Sequence, residues 1–241
     1  MKKDLKILVA CEESQTVTKL FRRSGFIAYS CDILPCSGGS EEWHYQGDVL
    51  EILDGMYKCK CGNLFEHGAG KYGCCKVSKL IEWDLMIGFP PCTDLAVSGA
   101  KHFEEKIKDG RQKNSIDFFL KLANSRIPYI AIENPVGVMS SKFRKPDQII
   151  NPYDFGDSAK KRTCLWLKNL PKLTATNLGN APLFGEALDK GSSHITKSGK
   201  KIPSWYNLPE SINRGKIRSK TFEGFAQAMV SQWGEYLLNR K

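Results

Sequence analysis

Asp84-Leu85-Met86-Ile87-Gly88-Phe89-Pro90-Pro91-Cys92 is an apolar run that ends on two prolines and a thiol. A short uninterrupted apolar stretch, bounded by an acid and a turn signal, reads as a strand buried on both faces, as in parallel sheets. Proline locks φ and removes a backbone donor, so Pro90-Pro91 stops the strand and mounts Cys92 on a stiff turn.

The flanking sequence repeats the strand-then-helix theme. Residues 5–10 form a second buried run, followed by a helix that Ser14 or Thr16 can cap and that Gly25 can end. Residues 26–31 read as a strand ending at Asp32, and Gly47-Asp48-Val49 as the end of a third strand or the turn after it. Downstream, residues 101–114 are polar and read as a mobile loop with some helix. Ile116, Phe119, Leu120 and Ala123 then recur at helical spacing. Residues 129–132 form a strand that stops at Glu133-Asn134-Pro135, and residues 162–167 alternate like another. Residues 168–220 are rich in Gly, Pro, Ser, Asn and Lys and show little periodicity. The chain closes on an amphipathic helix with Phe222, Phe225, Ala226, Met229, Val230, Trp233 and Leu237 on one face. Strands alternating with helices predict an α/β fold built on a parallel sheet.

In open α/β sheets the ligand crevice lies beyond the carboxyl ends of the strands. Strand ends at Asp32, Cys92 and Glu133-Asn134 are therefore expected to face one cleft. Cys92, rigidly mounted, suits covalent catalysis; a buried structural cysteine is the plainer alternative. Partial burial would raise the pKa of Glu133 enough for it to serve as an acid toward a bound base, although it can equally cap a helix. Arg162 can hold a carbonyl oxygen or stabilise developing negative charge, or be a surface cation.

The formal net charge is +10, from 36 Lys and Arg against 26 Asp and Glu. That balance favours polyanionic partners, because Lys and Arg release counterions from phosphates. The 41% hydrophobic content leaves enough for a core, and no apolar stretch approaches the roughly 20 residues that span a bilayer. Met1-Lys2-Lys3-Asp4 runs straight into a strand-like segment, so a soluble cytoplasmic protein without a membrane partner is expected. A monomer is the favoured state.

Nine cysteines argue against a disulfide framework, since the count is odd. Cys59, Cys61, Cys74 and Cys75 place four thiols within 17 residues of a Gly-rich stretch. Four thiolates can enclose one tetrahedral zinc, and residues 57–78 are expected to form a small structural zinc insertion. A redox-sensitive loop without metal is the alternative.

Taken together, these segments resemble the cytosine-5 DNA methyltransferases, nearest to compact phage and prophage proteins of that type. Residues 84–92 resemble the family's nucleophile motif, Glu133-Asn134-Pro135 its Glu-Asn-Val motif, and Lys161-Arg162-Thr163 its later arginine motif. Residues 219–232 resemble its last motif. The resemblance implies a Rossmann-like class I S-adenosylmethionine-dependent fold over residues 1–167 and 216–241, inside a bacterial or phage-infected cell. Residues 168–215 would be a short target-recognition region in place of the family's larger domain.

The resemblance also implies roles. Cys92 would attack carbon 6 of a cytosine flipped out of duplex DNA, Glu133 would contact the ring nitrogen and exocyclic amine, and Asn134 would brace the nucleophile loop. Arg162 would assist them, and residues 101–114 would close over the base. S-adenosylmethionine would meet Asp32 at its ribose, Asp48 at its adenine and Pro90 nearby, with Glu12 or Ser14 toward the methionine end. The family's Phe-x-Gly-x-Gly pattern is absent: Ala10-Cys11-Glu12-Glu13-Ser14 stands there without a glycine. Two other functions compete, an amino-methyltransferase acting on adenine or cytosine and a non-enzymatic methyltransferase-like DNA-binding protein. Cys92, where amino-methyltransferases use an aromatic residue, speaks against the first; the glycine-free turn speaks for the second.

Overall fold

The computed structural model describes residues 3–59, 64–66, 78–157, 161–176, 193–195, 199, 201–203 and 221–240. The chain divides into two compact units, Met1–Gln148 with Cys164–Lys172, and Ile149–Thr163 with Leu173–Lys241.

The strands are β1 (Lys3–Ala10), β2 (Phe26–Asp32), β3 (His44–Gln46), β4 (Met56–Cys59), β5 (Leu64–Glu66), β6 (Ser78–Ile81), β7 (Leu85–Gly88), β8 (Tyr129–Pro135), β9 (Gln148–Ile150), β10 (Thr163–Lys168), β11 (Ser193–Ile195) and β12 (Lys201–Pro203). Seven of them form one sheet in the order β3-β2-β1-β7-β8-β10-β9. The pairs β1–β2, β2–β3, β1–β7 and β7–β8 are all parallel. Ile7, Leu8, Val9 and Ala10 of β1 and Leu85, Met86 and Ile87 of β7 are fully buried. Both faces of these strands are covered, which is why they read as unbroken apolar runs.

Helix α1 (Thr16–Arg23) buries Val17, Thr18 and Phe21, and Gly25 ends it with φ of 85°, a left-handed value that glycine adopts without a Cβ clash. The polar residues 101–114, expected as a mobile loop with some helix, are more helical than that: α2 (Phe103–Lys108) and the start of α3 (Arg111–Ala123). α3 packs Phe119 edge-to-face on Trp166 of β10, ring centroids 5.2 Å apart. The short helix α4 (Met139–Lys142) follows β8.

β4, β5 and β6 form a separate antiparallel sheet in which Cys59 pairs with Ser78. Cys61, Cys74 and Cys75 lie outside the described residues, and Cys59 is described by its backbone alone. Among the described residues no group of three or more His, Cys, Asp or Glu is placed to hold a metal ion.

In the second unit, α5 (Glu223–Ala228) continues through a π-helical turn, Met229–Trp233, into α6 (Gly234–Leu238). Phe225, Ala226, Met229, Val230, Trp233 and Leu237 are buried as the periodicity predicts, while Phe222, expected on the same face, precedes the helix and is half-buried. Asp157 accepts from the backbone N–H of Gly224 and Phe225 at 3.1 and 3.0 Å, capping α5. No helix among the described residues is long and apolar enough to cross a membrane.

Candidate active site

The parallel register aligns the strand ends. Ala10 pairs with Cys31 and Gly88, Gly88 with Ile132, and Asp32 with Gln46. Asp48, Asp32, Cys11, Cys92 and Glu133 therefore follow one another along the carboxyl edge of the first unit, each at or just beyond a strand end. This is the edge where open α/β sheets form their crevice.

The Pro-Pro-Cys turn is held by the strands on either side. Phe89 N donates to the Ala10 carbonyl at 3.0 Å. The Asn134 amide donates to the Pro90 carbonyl at 2.9 Å and is buried. Its oxygen has no hydrogen-bond partner, and Pro90, whose carbonyl the amide holds, has no N–H to offer. After Cys92 the chain tightens, with Leu95 N and Ala96 N both donating to the Cys92 carbonyl. Val97 N then donates to Val136 O and Val138 N to Leu95 O, each at 3.0 Å. A Cβ on Gly137 would meet the Leu95 carbonyl oxygen at 2.1 Å, so this backbone crossing admits no larger residue. Cys92 is half-buried and outside any disulfide, and Glu133 is half-buried.

Beyond β1 the backbone turns at Cys11, where φ is 60°. Burial raises the Cys11 thiol pKa, and the negative charges of Asp32 and Asp48 raise it further. Both carboxylates thus act on one point of the edge. Asp32 is half-buried, accepts from Leu34 N at 2.9 Å, and is raised above its ordinary value by burial. Beside it, Ile33 and Leu34 are 74% and 54% exposed, unusual for large apolar side chains. Asp48 is exposed and accepts from Leu50 N at 3.0 Å.

Glu12, expected on the cofactor side, points inward. It is 3% exposed, and its oxygens accept from Val17 N at 2.6 Å, Thr18 N at 3.2 Å and the Thr18 hydroxyl at 2.7 Å. The carboxylate satisfies the N–H groups opening α1, the positive pole of the helix. The sequence suggested Ser14 or Thr16 for this cap; instead their hydroxyls lie 3.2 Å from each other. Burial outweighs the three hydrogen bonds and pushes Glu12 up to about 7. Gln15, fully buried at φ of 57°, donates to Ser40 O at 2.8 Å and accepts from Ser40 N at 3.1 Å, holding residues 33–40 over the start of α1.

Arg162 is exposed and belongs to the second unit. Sequence reading missed the residues that hold the chain after Cys92, namely Asp94, Lys106, Gln112 and Gly137. Nothing in the sequence separates Lys106 from the surface lysines around it.

No protein-family model matches the chain, and no curated protein sequence matches it. Among solved structures it is similar to a prophage-encoded protein of Escherichia coli named a DNA modification methyltransferase. The identity is 16%, the TM-score 0.42, and the match covers 68% of this chain and 46% of that one. A methyltransferase of Entamoeba histolytica is similar at 15% identity and a TM-score of 0.42, covering 72% of this chain and 57% of that one. The chain spans about half the length of these solved structures.

Proposed function

We propose that this chain is an S-adenosylmethionine-dependent DNA methyltransferase that methylates carbon 5 of a flipped cytosine through a covalent bond to Cys92. The observation that carries this reading is the pairing of Gly88 with Ile132 on adjacent parallel strands. It brings the Cys92 turn and Glu133 out at neighbouring strand ends, and the Asn134–Pro90 hydrogen bond joins them.

The residues fit the adenosine end of the cofactor. Asp32 and Asp48 offer carboxylates to ribose hydroxyls and an adenine amine, and the exposed Ile33 and Leu34 offer an apolar face. Pro90 lies near that side, and Ser14 serves the methionine end. Glu12 serves α1 and has no part in the reading. When bound, S-adenosylmethionine supplies the methyl group that carbon 5 accepts.

The chain's own residues do the rest. The Cys92 thiolate adds to carbon 6, forming a carbon–sulfur bond as the 5,6 double bond opens. Glu133 holds the ring nitrogen and exocyclic amine and gives the nitrogen a proton, drawing charge away from the ring. After substitution at carbon 5, water takes the carbon-5 proton, the double bond re-forms as the carbon–sulfur bond breaks and the thiolate leaves, and the ring nitrogen returns its proton to Glu133. Arg162, which the family resemblance would add to them, lies in the second compact unit and is assigned no step. In the insertion, Cys59, Cys61, Cys74 and Cys75 hold a structural zinc in this reading. The Cys59–Ser78 pairing supports it, because it closes the two ends of the segment on each other; elemental analysis of purified protein, at one zinc per chain, is its check.

The test is adduct formation on duplex DNA containing 5-fluorocytosine, whose carbon 5 cannot release fluorine and so traps the enzyme. Native protein with S-adenosylmethionine should give a denaturation-resistant adduct, and Cys92→Ala none. Methylation of ordinary DNA by native protein with no adduct on the fluorinated duplex would refute the covalent route.

A further inference from the structure

Three side chains from α2 and α3 converge on the two residues that follow Cys92. Lys106 is buried, with only 7% of its side chain exposed. Its ammonium donates to the Thr93 carbonyl at 2.5 Å and lies 3.3 Å from a carboxylate oxygen of Asp94. The other Asp94 oxygen accepts from the Ser115 hydroxyl at 3.3 Å, and the Asp94 backbone carbonyl accepts from Gln112, itself 5% exposed, at 3.2 Å. A Cβ on Gly99 would come within 3.3 Å of the ammonium, so the chain closes over it.

Removing an ammonium and a carboxylate from water is costly unless both are well partnered. A leucine or methionine would fill the same volume without that cost. The hydrogen bond from the ammonium to the Thr93 carbonyl is directional, however, where an apolar contact is not; with the ion pair to the Asp94 oxygen, which makes no hydrogen bond, it fixes the exit of the chain from Cys92. The Asn134–Pro90 bond fixes the entry.

We propose that Lys106 is a positioning residue for Cys92, acting through Thr93 and Asp94 to hold the thiol at its attack angle. The proposal rests on the covalent reading above. Its effect belongs to the chemical step and not to ligand binding, because Lys106 is buried behind the turn and offers its ammonium to the protein alone.

The experiment compares native protein with Lys106→Met, Asp94→Asn and, as a surface control, Lys121→Met, whose lysine is exposed near the C-terminal end of α3. Lys106→Met and Asp94→Asn should each lower kcat and the rate of fluorocytosine adduct formation about 10- to 100-fold, as misplacement of a reacting group does. KM for DNA and for S-adenosylmethionine should stay within about twofold, reflecting intact binding. Lys121→Met should match native protein. Asp94→Asn preserves volume and removes the charge, so it decides the matter if Lys106→Met does not fold. Unchanged kcat in either folded variant, or a KM that rises with kcat intact, would overturn the proposal. Alkylation of Cys92 by iodoacetamide keeps the two claims apart. If native protein makes no adduct, the covalent reading fails, while a changed alkylation rate in Lys106→Met still reports the positioning; an unchanged rate overturns it.

Discussion

Asn134, at the end of β8, donates its side-chain amide to the carbonyl of Pro90, at the end of β7, across 2.9 Å. The bond crosses between two strand ends that carry different chemistry, a carboxylate beside a thiol. Asn134→Ala leaves the Pro90 carbonyl buried without its donor, a loss of about 1–3 kcal/mol. Adduct formation on fluorocytosine DNA should slow by about 10- to 100-fold through misplacement of the turn. Single-turnover trapping, read beside a thermal melt, separates the two effects.

Gly137 supplies the other contact between these loops. A methyl group there would overlap the Leu95 carbonyl oxygen, which belongs to backbone and cannot rotate away. Gly137→Ala should destabilise the fold by about 1–3 kcal/mol or more, the cost of overpacking. It should also break the Val97–Val136 and Val138–Leu95 hydrogen bonds. Chemical denaturation gives the first effect and amide hydrogen exchange at Val97 and Val138 the second. Native protection at both amides in the variant would contradict this geometry.

Glu12 makes stability depend on pH in an unusual direction for an acid. Its carboxyl is pushed from 4.5 up to about 7 by burial at the start of α1. Between those values the folded protein binds a proton that the unfolded chain releases, so protonation favours folding. The stabilisation is complete below about 4.5 and is lost as pH rises through about 7, on the order of 3 kcal/mol in all. Urea midpoints should therefore fall between pH 5 and 8, and Glu12→Gln should flatten that slope. A native profile that rises over the same window would contradict this assignment.

Asp32 tests the cofactor end. Asp32→Asn keeps the shape of the side chain and its acceptor for Leu34 N but removes the charge offered to ribose hydroxyls. Charged hydrogen bonds contribute about 1.5–3 kcal/mol, so S-adenosylmethionine affinity by calorimetry should weaken by about 10- to 100-fold. Equal affinity in the variant would remove Asp32 from the cofactor side.

The sheet was legible because β1, β2, β7 and β8 are buried strands, and burial on both faces leaves an uninterrupted apolar signature. Their ends were legible too, since Asp32, Pro90-Pro91 and Glu133 interrupt that signature. The helices supporting the site were not. α2 buries a lysine where periodicity looks for an apolar residue, and its partners, Thr93 and Asp94, lie 13 and 12 positions away. The cap of α1 was misread for a related reason. Local rules favour a hydroxyl next to the first turn, while the fold brings Glu12 in from before the turn, with Gln15 in a left-handed conformation between them.

A thiol mounted on a turn that β1, β8 and α2 all hold gives up reach for aim. In the proposed reading the thiol waits on a held turn, so closing the last distance falls to the nucleotide, which leaves its stack and swings toward the sulfur. Bases that are already loosely stacked, at mismatches or in single strands, should then be the ones such a protein modifies fastest.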